Sequence, residues 1–130
     1  MENKSYRQLK ITAFIVLILG AAKLVYWGMY YSRGMPQAGI PILSELVNAG
    51  LALLSGYGIL RPCPWAYRFS IFTAGMWAYG ALSGINLVIR NGLDFTSPFG
   101  AITDAISFPL ILIFAIYLAA VVWKNRVYFL

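Results

Sequence analysis

Histidine is absent from this sequence of 130 residues, and cysteine occurs once, at Cys63. Together these facts remove imidazole-ligated haem, His-based zinc or copper sites, Ser-His-Asp and Cys-His catalysis, and paired-cysteine redox motifs from the chain's own chemistry. No metal or haem ligation is expected, no catalytic constellation assembles, and the chain reads as non-enzymatic. Any redox centre would belong to a partner or to a bound organic cofactor. With no second cysteine there is no intrachain disulfide, and Cys63 in the turn Arg61-Pro62-Cys63-Pro64 reads as a reduced cytoplasmic thiol whose simplest role is a small turn residue. Charge is scarce as well: 11% of residues are charged against 61% hydrophobic, and only Glu2, Glu45, Asp94 and Asp104 are acidic. That balance excludes an ordinary soluble globule.

Long apolar runs take up what is left. A bilayer core about 30 Å thick needs roughly 20 helical residues, and four runs meet that length, at 10–31, 41–60, 65–90 and 98–123. The expectation is an all-α membrane protein, one domain over 1–130, with four transmembrane helices in an antiparallel bundle. Gly20-Ala21-Ala22 imitates a signal-peptide cleavage site, but hydrophobicity resumes after Lys23, so the first run reads as an uncleaved span. Tyr26, Trp27, Tyr30 and Tyr31 form the aromatic belt at its far end. Ser32 to Ile40 reads as a loop and Pro41 suits the first turn of the second helix. Arg61, Pro62 and Pro64 end that helix, and Asn91-Gly92 ends the third. Helix four begins near Ser97 or Pro98; Pro109 inside it removes a donor and frees the carbonyl of Ala105.

Charge sets the orientation. If both termini and the second-to-third turn share a side, that side holds Lys4, Arg7, Lys10, Arg61, Arg68, Lys124 and Arg126 against Glu2 alone. The other half holds Lys23, Arg33 and Arg90 against Glu45, Asp94 and Asp104, so the whole net charge of +6 lies on one face. By the positive-inside rule that face is cytoplasmic, giving a multi-pass protein of N-in/C-in topology with four spans. The partners this implies are anionic lipid head groups, further membrane subunits or a homo-oligomer; no nucleic-acid motif accompanies the basic residues.

A carboxylate inside a membrane helix is costly, by about 2.5–3.5 kcal/mol at the centre and less near the end, so something should answer Glu45. At 100° per residue, Glu45, Asn48, Ala52 and Ser55 share an arc of helix two, and Lys23 shares a face with Val16, Gly20, Trp27 and Tyr30. Asp104 lines up with Gly100, Ala101, Ser107, Phe108 and Ala115. Helix three offers one face of Thr73, Trp77, Gly80 and Gly84, with Gly80 and Gly84 at GxxxG spacing, and another of Tyr79, Ser83, Asn86 and Arg90. With helices alternating in direction, Lys23, Glu45, Asn48, Asn86, Arg90, Asp104 and Ser107 form an outer-side polar cluster. One reading is an ion-pair network that fixes helix register, with Lys23 pairing with Glu45, Asp104 or both. The other is a pocket holding the polar head of a quinone or lipid, its apolar part lined by Trp27, Tyr30, Trp77 and Tyr79. A Glu45 or Asp104 carboxylate without a full partner would instead suit a small proton-coupled transporter.

The segment Leu19-Gly20-Ala21-Ala22-Lys23-Leu24 resembles the Gly-x-x-Lys-Leu signature that ends the first helix of the DoxX-like family of small four-span membrane proteins. The second helix, from Ser44-Glu45-Leu46-Val47-Asn48 through Gly56 to Arg61, is similar to that family's Glu, small and leucine-rich, Gly and basic-turn pattern. The likeness spans roughly Lys10 to Leu82 and places Lys23 and Glu45 at motif positions; Asp104 and Pro109 have no counterpart. It implies a non-catalytic accessory subunit or assembly factor of a membrane redox complex, in a prokaryotic inner membrane, with a quinone among the cofactors of such complexes. A purely structural subunit of a larger assembly is the plainer alternative.

Overall fold

The structure is a computed structural model that describes residues 4–32, 42–93, 95 and 100–130. Helix α1 spans Lys4–Ser32, α2 Ile42–Leu60, α3 Pro64–Asn91 and α4 Ala101–Lys124, and a short 3-10 turn follows at Arg126–Phe129. Ser32, expected to open a loop, instead ends α1; the rest of that loop to Ile40, Pro41, the side chains of Tyr30 and Tyr31, Asp94, and a start of helix four at Ser97 or Pro98 lie outside what is described. The helices α1, α3 and α4 are long and apolar enough to cross a membrane, whereas α2, at 19 residues, is shorter. At 1.5 Å per residue it reaches about 28 Å.

Local chemistry accounts for the boundaries. α1 begins ahead of its apolar run because nothing in Lys4 to Lys10 breaks a helix, and Leu9 there is already buried. Pro64 occupies the first turn of α3, where its missing N–H costs nothing. Gly92 closes α3 with φ +76°, a backbone region that side chains disfavour, and its N–H reaches Val88 O at 2.9 Å. α4 runs on through Pro109, which is exposed, so its ring displaces no neighbouring helix.

Each helix packs chiefly on its neighbours in the chain, and α1 meets α4 far less extensively. The contacts step down one helix as they step up the next. Lys23 meets Glu45, and Gly20 lies against Ala52 and Gly56 against Leu17. Between α2 and α3 the order is Gly58 with Ala66, Ser55 with Thr73, and Asn48 with Trp77. Between α3 and α4 it is Gly84 with Phe108 and Trp77 with Phe114, followed by Tyr67 with Phe129 of the terminal turn. Small residues set these approaches: a methyl group built on Gly56 would lie 2.5 Å from Leu17 Cγ, and one on Gly84 the same distance from the Phe108 ring. The expected pairing of Gly80 with Gly84 holds only in half, because Gly80 faces open space.

The buried core includes Leu9, Ala13, Ile59, Ala66, Val122 and Phe129, away from the Lys23 end of α1. Phe129 is 2% exposed, folded back by the 3-10 turn to lie against Tyr67 at 6.3 Å between ring centroids. Nothing in the sequence marked that residue as an anchor. Asn125 holds the junction by donating Nδ2 to Val121 O at 2.9 Å.

Candidate functional site

Glu45 stands in the first turn of α2, where a carboxylate complements the positive end of the helix dipole. Lys23, in the outer part of α1, reaches it with Nζ 2.8 Å from Oε2. The same ammonium donates to Asn48 Oδ1 at 3.1 Å, one turn further along α2. Two indoles complete the group: Trp27 Nε1 donates to Glu45 Oε2 at 3.2 Å, and Trp77 Nε1 to Asn48 Oδ1 at 2.7 Å. Both donors onto Asn48 lack any acceptor, so they fix which end of the amide faces them.

Burial is graded across the cluster. The Lys23 and Glu45 side chains are 27% and 28% exposed, while Asn48 and Trp77, beneath them, are 5% exposed. Lys23 has three N–H groups and spends two on Glu45 and Asn48, leaving one. Glu45 receives Lys23 and Trp27 at Oε2, and among the described residues Oε1 takes no partner. Among the described residues, one donor and one acceptor of this partly exposed pair are therefore uncommitted. Such a pair can engage a carbonyl, hydroxyl or amine of a bound head group while the neutral residues beneath hold the geometry.

Of the residues expected at this site, Lys23, Glu45, Asn48, Trp27 and Trp77 come together. Lys23 chooses Glu45 over Asp104. Asp104 is partly buried on α4 and makes no ion pair among the described residues, and Ser107 Oγ donates to the Asp104 backbone carbonyl at 2.7 Å rather than into the cluster. Tyr79, Asn86 and Arg90 are exposed and stand apart from it, with Tyr79 76% open. The reason is rotational. With Trp77 turned toward α2, residues 79, 86 and 90 fall about half a turn round α3, on the outward face.

The two tryptophans also bring hydrogen-bonding groups to the cluster. They donate through their polar N–H groups, a contribution beyond the apolar lining expected of their rings. Deeper along the α2–α3 contact, Ser55 and Thr73 share a hydrogen bond of 3.1 Å, while the buried Ser70 Oγ has no partner. No group of His, Cys, Asp or Glu capable of holding a metal occurs among the described residues. Compared with family models, curated proteins and solved structures, the chain matches none.

Proposed function

We propose that this chain is a four-span inner-membrane protein, antiparallel and N-in/C-in, that does no catalysis. In this reading it serves as an accessory subunit or assembly factor of a membrane redox complex, of DoxX-like kind. It holds the polar head of a quinone or lipid at the Lys23–Glu45–Asn48 cluster. The span count is supported by three helices of crossing length and by a fourth whose one charge, Glu45, lies at its end, where a short helix meets the interface. The opposed order of contacts between successive helices supports the antiparallel arrangement. The surplus of basic residues beside both termini and the Arg61 turn supports the orientation.

The observation that carries the ligand reading is the half-open ion pair. At 27% and 28% exposure over a buried Asn48, Lys23 and Glu45 keep a donor and an acceptor unspent among the described residues. The test is purification in mild detergent followed by mass spectrometry of co-purifying proteins, quinones and lipids, for the natural chain and for Glu45→Gln. Loss of a small molecule with the protein partners retained supports the reading. Recovery of the bare chain, with neither partner nor ligand, overturns it.

A proton-coupled carrier is the second reading, favoured by Asp104, a partly buried carboxylate without an ion pair among the described residues. It requires a pH-dependent flux in vesicles that Asp104→Asn or Glu45→Gln abolishes. Flux indifferent to both substitutions removes it.

A further inference from the structure

At the opposite end of the helices from Lys23, a groove of about 400 Å³ separates the start of α3 from the C-terminal 3-10 turn. Pro64, Tyr67, Arg68, Arg126, Phe129 and Leu130 line it, and no acidic side chain does. We propose that this groove binds the phosphodiester of an anionic phospholipid from the leaflet on that side, a site separate from the outer cluster and independent of what the cluster holds.

Three features converge on an anion. The guanidinium of Arg126 is held in place, donating Nη1 to Trp123 O at 2.9 Å while lying 4.7 Å over the Trp123 ring. The rest of its planar fork remains unspent, and such a fork matches phosphate oxygens. Arg68 is exposed, and among the described residues neither it nor Arg126 makes an ion pair. The N-terminus of α3 also opens here without neutralisation: Cys63 gives it no side-chain cap and its first turn holds no acid. Its positive dipole end therefore adds to the two arginines.

The source of the phosphate follows from what borders the charges. The groove floor is the Tyr67–Phe129 ring contact, and Val127 and Leu130 stand 66% and 95% exposed beside the guanidiniums. An inorganic phosphate has no use for that apolar rim, whereas glycerol and upper acyl carbons of a phospholipid cover it. Lys4, Arg7 and Lys10 of α1 gather at the same end, where Tyr6 lies 6.2 Å from Tyr128, and raise the local concentration of anionic lipid.

The test uses the full chain in an uncharged detergent at fixed ionic strength. Native mass spectrometry and thermal unfolding compare phosphatidylglycerol, phosphatidylcholine of the same acyl length, and inorganic phosphate. Phosphatidylglycerol should bind about thirtyfold tighter than phosphatidylcholine, the scale set by two guanidiniums at a head-group surface. Arg68→Gln with Arg126→Gln should erase that preference, and each single variant should lose part of it, so the test stands if the double variant fails to fold. Lys4→Gln with Arg7→Gln removes the same charge from the same end and should leave the preference intact. Equal loss in that control reduces the effect to diffuse attraction and overturns the proposal. Stabilisation by inorganic phosphate equal to that by phosphatidylglycerol, or no preference in the natural chain, overturns it as well.

Discussion

Trp77 of α3 donates to Asn48 of α2 at 2.7 Å, and the oxygen that receives it also takes Lys23 of α1 at 3.1 Å. A single atom thus ties three helices together. Asn48→Leu, alike in branching though bulkier, removes both bonds and leaves a buried indole N–H without an acceptor, a loss of about 1–3 kcal/mol. Asn48→Asp keeps the acceptor and should retain most of the stability. Denaturant titration in detergent separates the two, and equal stability of the leucine variant and the natural chain would remove Asn48 from this role.

The Lys23–Glu45 pair should be energetically coupled. Glu45→Gln is expected to cost about 1–2 kcal/mol, less than the 3–5 of a fully buried pair because a quarter of each side chain is open. Lys23→Met added to it should cost less than it does alone. A double-mutant cycle closing within about 0.3 kcal/mol of zero would show that the two charges act separately.

Gly84 and Gly80 are one helical turn apart and should respond differently. Gly84→Ala drives a methyl group to 2.5 Å from the Phe108 ring and should cost about 1–3 kcal/mol, recovered in part by Phe108→Ala. Gly80→Ala meets nothing within 4 Å and should be neutral or slightly stabilising, since alanine is the better helix former. A matching cost at both positions would contradict the α3–α4 packing.

Ser70 offers a substitution that strengthens the chain. Its hydroxyl is buried with no partner, so Ser70→Ala removes an uncompensated polar group and should raise stability by about 1 kcal/mol. Ser55→Ala should do the reverse, stranding Thr73 Oγ1. The sign of the Ser70→Ala shift in an unfolding midpoint decides the point.

Topology is open to labelling because the chain has one cysteine. Cys63 is partly exposed in the α2–α3 turn and should react with a membrane-impermeant maleimide in inverted vesicles and not in right-side-out ones. Phe95→Cys in a Cys63→Ser background, at a position 83% exposed, should show the opposite pattern. Reaction of both from the same side would overturn the four-span arrangement.

Sequence alone determined the elements of this protein. Apolar runs of bilayer length, stopped by Pro62, Pro64 and Gly92, place four helices because backbone polar groups in an apolar setting have no other economical partner than their own helix. It also marked Lys23, Glu45 and Asn48, since charged and amide groups inside apolar runs demand an answer. Tertiary structure decided which groups answer. Periodicity gives the faces of a helix without saying which face meets a neighbour, so Asn86 and Arg90 looked equivalent to Trp77 until the rotation of α3 toward α2 put them outside. It likewise chose Glu45 over Asp104 for Lys23, and buried Phe129 beside Tyr67 through a turn no motif announces. Such choices depend on the approach of separate helices, and that approach is set by close contacts such as Gly56 on Leu17 and Gly84 on Phe108, which no local pattern encodes.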